Sequence, residues 1–268
     1  VDGVLQGGIG SILPDGSWTV PNVTAFSGQT VTVFRDGVPD DEEAVAVFVY
    51  DGLGDMTGVQ LFEQHLSLAA DEVATATLAA LAAGDSSALS PPDEDVFFDV
   101  NASGDLVVCA TGSCADANLY VGTGNVFIPS DSLSESITTH DFINDGRVEL
   151  DNNTLTVSGS WENAATVVPD TSSVFFTAST GAESLSDTSG TLTFNNLTLG
   201  SGSGNATFTL ADDLIVNGNL NVAYGTLARG TLPVTVSGSL STGVGGFWSG
   251  IGTTTFAGSA SGNWTNTN

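Results

Sequence analysis

Side chains able to do acid–base or nucleophilic chemistry are few and widely spaced in this chain of 268 residues. The two histidines are His65, in LFEQHLSL, and His140, in TTHDFINDG. Histidine titrates near neutrality, but a general acid or base also needs a group that orients it and a reacting partner within hydrogen-bond reach. His140 has only Asp141 beside it, and no Gly-x-Ser-x-Gly turn accompanies either histidine. Both therefore read as hydrogen-bonded structural groups. Polysaccharide cleavage is the other chemistry to weigh. A lyase base in the second half of the chain is restricted to Arg147 and Arg229, and Asp212–Asp213 lacks the His and basic partners of a two-carboxylate glycosidase. The sequence predicts no enzyme.

Hard oxygen ligands are plentiful. Asp36, Asp40, Asp41, Glu42 and Glu43 share one loop, Asp51 and Asp55 the next, and Asp93, Glu94, Asp95 and Asp99 a third. None has EF-hand spacing, so solvated acidic loops compete with an ion site at each. The set Asp93, Glu94, Asp95 and Asp99 is the strongest metal candidate, and calcium is the one cofactor it invites. Cys109 and Cys114, in VVCATGSC, stand five residues apart across a Gly turn, close enough for a short-loop disulfide. No second Cys pair or nearby His completes a zinc site. A disulfide would place the protein in an oxidising, extracellular setting.

Charge narrows the partners. Thirty-one acidic residues face only Arg35, Arg147 and Arg229, for a net charge of −28. Such a chain repels phosphate backbones and anionic membranes, which excludes nucleic-acid binding. Runs such as AVAVFVY and LIVNGNLNV, within 41% hydrophobic content, exclude disorder. No signal peptide or membrane span is visible. The chain begins VDGVLQ, has Met56 as its only Met and ends in mid-pattern at SGNWTNTN, so a mature product or a segment of a longer chain is expected.

The elements that must position these groups are strands. Residues 1–85 alternate polar and apolar in GSWTV, QTVTVFRDG and EAVAVFVYDG, which predicts a small Ig-like β-sandwich with a short helical segment near 72–83. In that segment the acids Asp71 and Glu72 precede an Ala/Leu run that ends at Gly84. Residues 86–130 read as an acidic linker plus β-strands carrying Cys109 and Cys114.

From 131 to 268 the composition turns to Thr, Asn, Gly, Ser and Val, and a five-residue mark recurs: VSGSW, VNGNL, VSGSL and ASGNW. Its last residues, Trp161, Leu220, Leu240 and Trp264, are 59, 20 and 24 apart, read as about three, one and one periods. Phe176, Phe194 and Phe256 form a second mark at related phases. A period near 20 predicts one coil of a right-handed β-solenoid, with six or seven coils after residue 130. Gly and Asn of each mark are expected at corners in left-handed backbone angles. The seven apolar marks are expected in the coil core, with glycan or partner contact as the alternative.

Ten stretches, among them DGSWTV, AVAVFVYDGLGDMTGVQLFEQHL, LVVCATGSC, LYVGTGNVFIP, LTVSGSWEN and LIVNGNLNV, run in order through nearly the whole chain. In this order they resemble the modular repeats of long secreted surface proteins of candidate phyla radiation bacteria. That resemblance implies an extracellular structural or adhesive protein and supplies no catalytic residues. The expected partners are other copies of the chain or neighbouring modules, with a glycan-binding adhesin as the rival reading and a polysaccharide-degrading enzyme third.

Overall fold

A computed structural model describes residues 1–4, 6, 10–71, 75–85, 93, 95–109, 116–129, 134–258 and 264–266, with the side chains of 264–266 set aside. Period-2 alternation governs it: in Thr154–Val157, Asp213–Val216 and most other strands, buried and half-buried residues alternate strictly. A strand with one apolar side must bury it, and here the strands do so by winding into a β-solenoid of about nine turns. Strand makes up 44% of the chain and helix 3%, which settles an all-β class. At a strand spacing of ~4.8 Å, nine turns make a rod of about 43 Å.

Each coil has three faces. On face 1 the core positions Leu106, Ile137, Leu155, Val174, Leu197, Leu220 and Leu240 stack in parallel register, and Trp264 pairs with Leu240 next in line. On face 2 the column is Leu66, Leu119, Phe142, Trp161, Leu185 and Leu210. Face 3 is split: Thr75–Ala76, Val126–Phe127, Arg147–Glu149 and Thr166–Val168 form one four-stranded sheet, and Thr191–Phe194, Asp213–Val216, Val234–Val236 and Thr254–Phe256 form another. Steps along face 1 from Ile137 to Trp264 are 18, 19, 23, 23, 20 and 24 residues, so the coil is variable in length rather than fixed near 20. Loops at the corners absorb the difference, while the core columns hold register.

One apolar cluster runs from Val45 to Leu240. Part of it is aromatic: Trp161 stacks on Phe142 with ring centroids 4.4 Å apart and meets Phe194 edge-on at 5.0 Å.

The N-terminal sandwich expected over residues 1–85 is not seen. Thr30–Phe34 and Val45–Val49 form an antiparallel hairpin, and Val45–Val49 then pairs in parallel with His65–Leu68, the first strand of face 2. The hairpin belongs to the solenoid sheet and closes its end. Val45 and Val47 face the main core, whereas Val31 and Phe48 face a small cluster with Tyr50 and Ala70. Alternation cannot tell these arrangements apart, since its period is 2 whether the partner strand is parallel or antiparallel. The coil stack accordingly begins at His65, well ahead of residue 131.

The helix is shorter than expected, Leu78–Ala82, and starts at Thr77, whose hydroxyl accepts the Ala80 N–H at 3.1 Å. Thr75–Ala76, just upstream, pairs as a strand with Val126–Phe127. Sheet pairing on face 3 thus takes Thr75 and Ala76 out of the expected helix, whose residues 72–74 lie outside the described set.

Candidate functional site

The recurring five-residue mark occupies corners, but not always the same one. VSGSW leads from face 1 to face 2, ending at Trp161, whereas VNGNL and VSGSL lead from face 3 to face 1, ending at Leu220 and Leu240. Trp161 and Leu220 are therefore not in phase, and the 59 residues between them span two full coils and two faces of a third. Phe194 and Phe256 share a column on face 3 with Val216 and Val236, while Phe176 stands on face 1 opposite Val157 and Leu199.

What the mark encodes is the contact between consecutive coils. Gly159, Gly218 and Gly238 do not have left-handed backbone angles. Glycine is required there because a Cβ would run into the coil below: Asp141 and His140 at Gly159, Asn196 at Gly218 and the Gly218 carbonyl at Gly238. The polar residue after each Gly is a rung. The Ser160 N–H donates to Asp141 Oδ1 at 2.6 Å, the Asn219 N–H to Asn196 Oδ1 at 3.0 Å and the Ser239 N–H to Asn219 Oδ1 at 2.9 Å. Each side chain caps an amide of the next coil, satisfying backbone groups that a bend takes out of the sheet ladder.

Both histidines sit at one such corner. Asn118 Oδ1 accepts the Asp141 N–H at 2.9 Å and lies 3.3 Å from His140 Nδ1; Asn118 Nδ2 lies 3.4 Å from His65 Nε2. His140 Nδ1 is 3.2 Å from Asp141 Oδ1, and its Nε2 is 3.8 Å from Asp116. Hydrogen bonding to Asp141 raises the His140 pKa, against burial and with help from the charges of Asp141, Asp116 and Glu183. Burial pushes Asp141 up, but His140, the Ser160 amide and the charges of both histidines outweigh it and leave Asp141 below its usual value. Ser160 Oγ is engaged with Glu183 at 3.2 Å and accepts the Ser184 N–H at 3.0 Å. The Ser160 hydroxyl is thus bound into the stack.

A second ladder runs inside the coil. Asn144 Nδ2 donates to Asn163 Oδ1 at 2.7 Å, and Asn163 Nδ2 donates to Asp187 Oδ2 at 2.6 Å; all three residues are buried. Asp187 Oδ1 also accepts the Ser189 N–H. Where face 3 is split, this ladder borders a cleft of about 170 Å³ lined by Trp161, Asn163, Thr166, Asp187, Ser189 and Thr191 among others. It has room for about five waters. Sequence reading missed this ladder, although FIN, WEN and LSD place an apolar residue two before each polar rung.

The expected metal set is brought together in part. Asp93 and Asp95 converge with Asp36, from the loop after the N-terminal hairpin's first strand, so that one oxygen of each lies within 4.8 Å of the others. Asp95 Oδ2 accepts the Gly37 N–H at 2.7 Å, and the Asp95 N–H donates to Asp93 Oδ1 at 3.1 Å. Burial, and then the charges of Asp93 and Asp36, raise the Asp95 pKa despite the Gly37 hydrogen bond. Three carboxylates crowded in this way suit a hard divalent cation. Asp99 stands apart, in strand Phe98–Val100 opposite Val107, and Glu94 lies outside the described residues.

Of the other predicted positions, Trp161, Phe176, Phe194, Leu220 and Leu240 are buried in the core, and Phe256 is exposed. Trp264 continues the face 1 column, with its side chain outside the described set. Cys109 ends strand Leu106–Val108 and packs on the main core, whereas Cys114 lies outside the described residues. No protein family, curated protein or solved structure matches the chain. No described helix is long and apolar enough to cross a membrane.

Proposed function

We propose that the protein is a non-enzymatic structural module of an extracellular surface protein or filament, which self-associates or joins neighbouring modules through the ends of a right-handed β-solenoid. One observation carries this reading: the residues with catalytic potential are used as rungs between coils. His140, Asp141 and Ser160 cap amides or one another along one corner, and Asn163 and Asp187 do so inside it. The resemblance of the motif order to candidate phyla radiation surface proteins, the acidic composition and the Cys109–Cys114 bridge proposed here all fit an exterior location. Electron microscopy of the native material tests the reading and should show rods joined end to end or packed in a lattice. New reducing or unsaturated ends released from pectins or related polymers would refute the non-enzymatic part. A mass increase on alkylation only after reduction would verify the bridge.

The face 3 cleft favours a second reading, an adhesin that holds a neutral glycan. Hydroxyls and amides of Thr166, Asn163, Ser189 and Thr191 surround it, and Trp161 offers an apolar edge. Binding on a glycan array that is lost in Ser189→Trp, which fills the cleft, would support it.

A further inference from the structure

The outward side of face 2 carries an aromatic corner. The turn before strand His65–Leu68 places Phe62 there, 42% exposed, and strand Asn118–Val121 supplies Tyr120. The Phe62 ring stands nearly perpendicular to that of Tyr120, at 89° with centroids 5.2 Å apart, and meets His65 at 66° and 6.0 Å. Parallel register puts Ile143 beside Tyr120 one coil on, and the exposed Glu162 beside Ile143. A single exposed apolar residue is ordinary, but three rings held edge to face beside a carboxylate form an arranged surface.

Asp145 sets the chemistry of this corner. The Tyr120 hydroxyl donates to Asp145 Oδ2 at 3.0 Å, and burial, then this bond and the Asp145 charge, push the Tyr120 pKa up to about 12. The phenol therefore keeps its proton at neutral pH, and donating it to a carboxylate enriches a ring face that is already negative. A guanidinium or ammonium group within about 6 Å of such a ring gains about 0.5–2 kcal/mol. The balance of charge says which molecule brings that cation. Thirty-one acids face three Arg and no Lys, so the chain attracts basic molecules. A second copy has no cation to spare. Arg35 pairs with Glu42 and Glu63, both at 3.0 Å, and Arg147 with Glu149 at 2.7 Å. The Arg229 guanidinium lies 5.2 Å from the Trp248 ring centroid and donates to the Thr253 carbonyl and Thr254 hydroxyl.

We infer that the corner formed by Phe62, Tyr120 and Asp145 is a docking site for a basic side chain, Arg above all, of a different protein. The cation lies against the rings with Asp145 as its counter-ion, and Ile143 receives the alkyl stem. Arg fits best because its planar head both stacks on rings and forks onto a carboxylate. This contact lies on the side of the rod, so it neither requires nor excludes association through the ends.

Titration of the 268-residue chain with a peptide of alternating Gly and Arg, at physiological ionic strength to screen diffuse attraction, tests this. The Arg peptide is expected to bind, and the same peptide with uncharged citrulline in place of Arg is not. Phe62→Ala should weaken binding about fivefold, and Phe62→Leu by as much, because an apolar side chain without a ring has no negative face. Phe62→Trp should hold or tighten it. Tyr120→Phe keeps the ring but loses the bond to Asp145, and should cost less than Phe62→Ala. Asp145→Asn should weaken binding well beyond Asp170→Asn, which removes the same charge from an exposed turn elsewhere. Circular dichroism confirms that each variant folds. Equal losses in Asp145→Asn and Asp170→Asn, or full binding by Phe62→Leu, would assign the attraction to the acidic surface at large and overturn the site. So would failure of the Arg peptide to bind, or binding of the citrulline peptide or of an uncharged glycan to these rings in its place. The structural-module reading would stand in each case.

Discussion

The coils before Asp213 and those after it are built on the same three faces, yet they meet their surroundings differently. In the first region, carboxylates fill loops and corners, and the core is closed off by a hairpin. In the second, Ser, Thr, Asn and Gly take those positions, and Phe247 and Phe256 are exposed. The difference teaches that corner geometry does not demand charge, since Asn219 and Ser239 make the same rung that Asp141 and Ser160 make. Acid content is therefore free to differ between the two regions without changing how a corner is held.

The contrast can be broken first in the core. Trp161→Ala removes the aromatic hub of the middle coils and should cost about 3–5 kcal/mol in denaturant unfolding. Trp248→Ala, in the half-open last coils, should cost about 1 kcal/mol or less. Equal losses would show that the end is as tightly packed as the middle. Next come the rungs. Asn163→Ala leaves Asp187 Oδ2 and Asn144 Nδ2 each short of a partner inside the protein and should cost about 1–3 kcal/mol. Asn219→Ala, at a solvent-exposed rung, should cost less than half of that.

Calcium should act on the first region alone. The raised Asp95 pKa means that folding works against ionising this carboxyl beside Asp36 and Asp93, a cost relieved by a proton or a cation. Added calcium at tenfold above its dissociation constant would stabilise by about 1.4 kcal/mol. The melting temperature should rise accordingly, and Asp95→Asn should abolish the rise. The smallest expected effect is from pH. The folded His140 pKa is raised, so its contribution is fully present below the unfolded value of about 6.5 and is lost as pH rises through the folded value. Asp141, lowered, contributes above about 3.9, and that part is lost as pH falls through its folded value. His140→Gln should flatten the decline on the alkaline side, measured by melting temperature against pH.

Much of this was legible in particular residues. The apolar ends of the marks, Trp161, Leu220 and Leu240, are core positions because a stacked coil must repeat its inward residues. Which corner each mark turns was illegible: a Gly for close approach and a Ser or Asn rung answer the same local need at either corner. Asp93 and Asp95 could be read as a ligand pair, but Asp36, 57 residues earlier than Asp93, joins them only because the hairpin folds onto the first coils.

By itself, the sequence determined the all-β class, the coiled repeat and the uneven distribution of charge, because alternation, recurrence and composition are properties of the chain read in order. The tertiary structure alone decided that residues 30–68 begin the solenoid instead of forming a separate sandwich. It also decided that the histidines and buried amides serve as rungs, and that Phe256, in line with buried Val236, is exposed. Each of these depends on which strand lies beside which, and parallel pairing joins residues from 18 to 53 positions apart through contacts that no local pattern records.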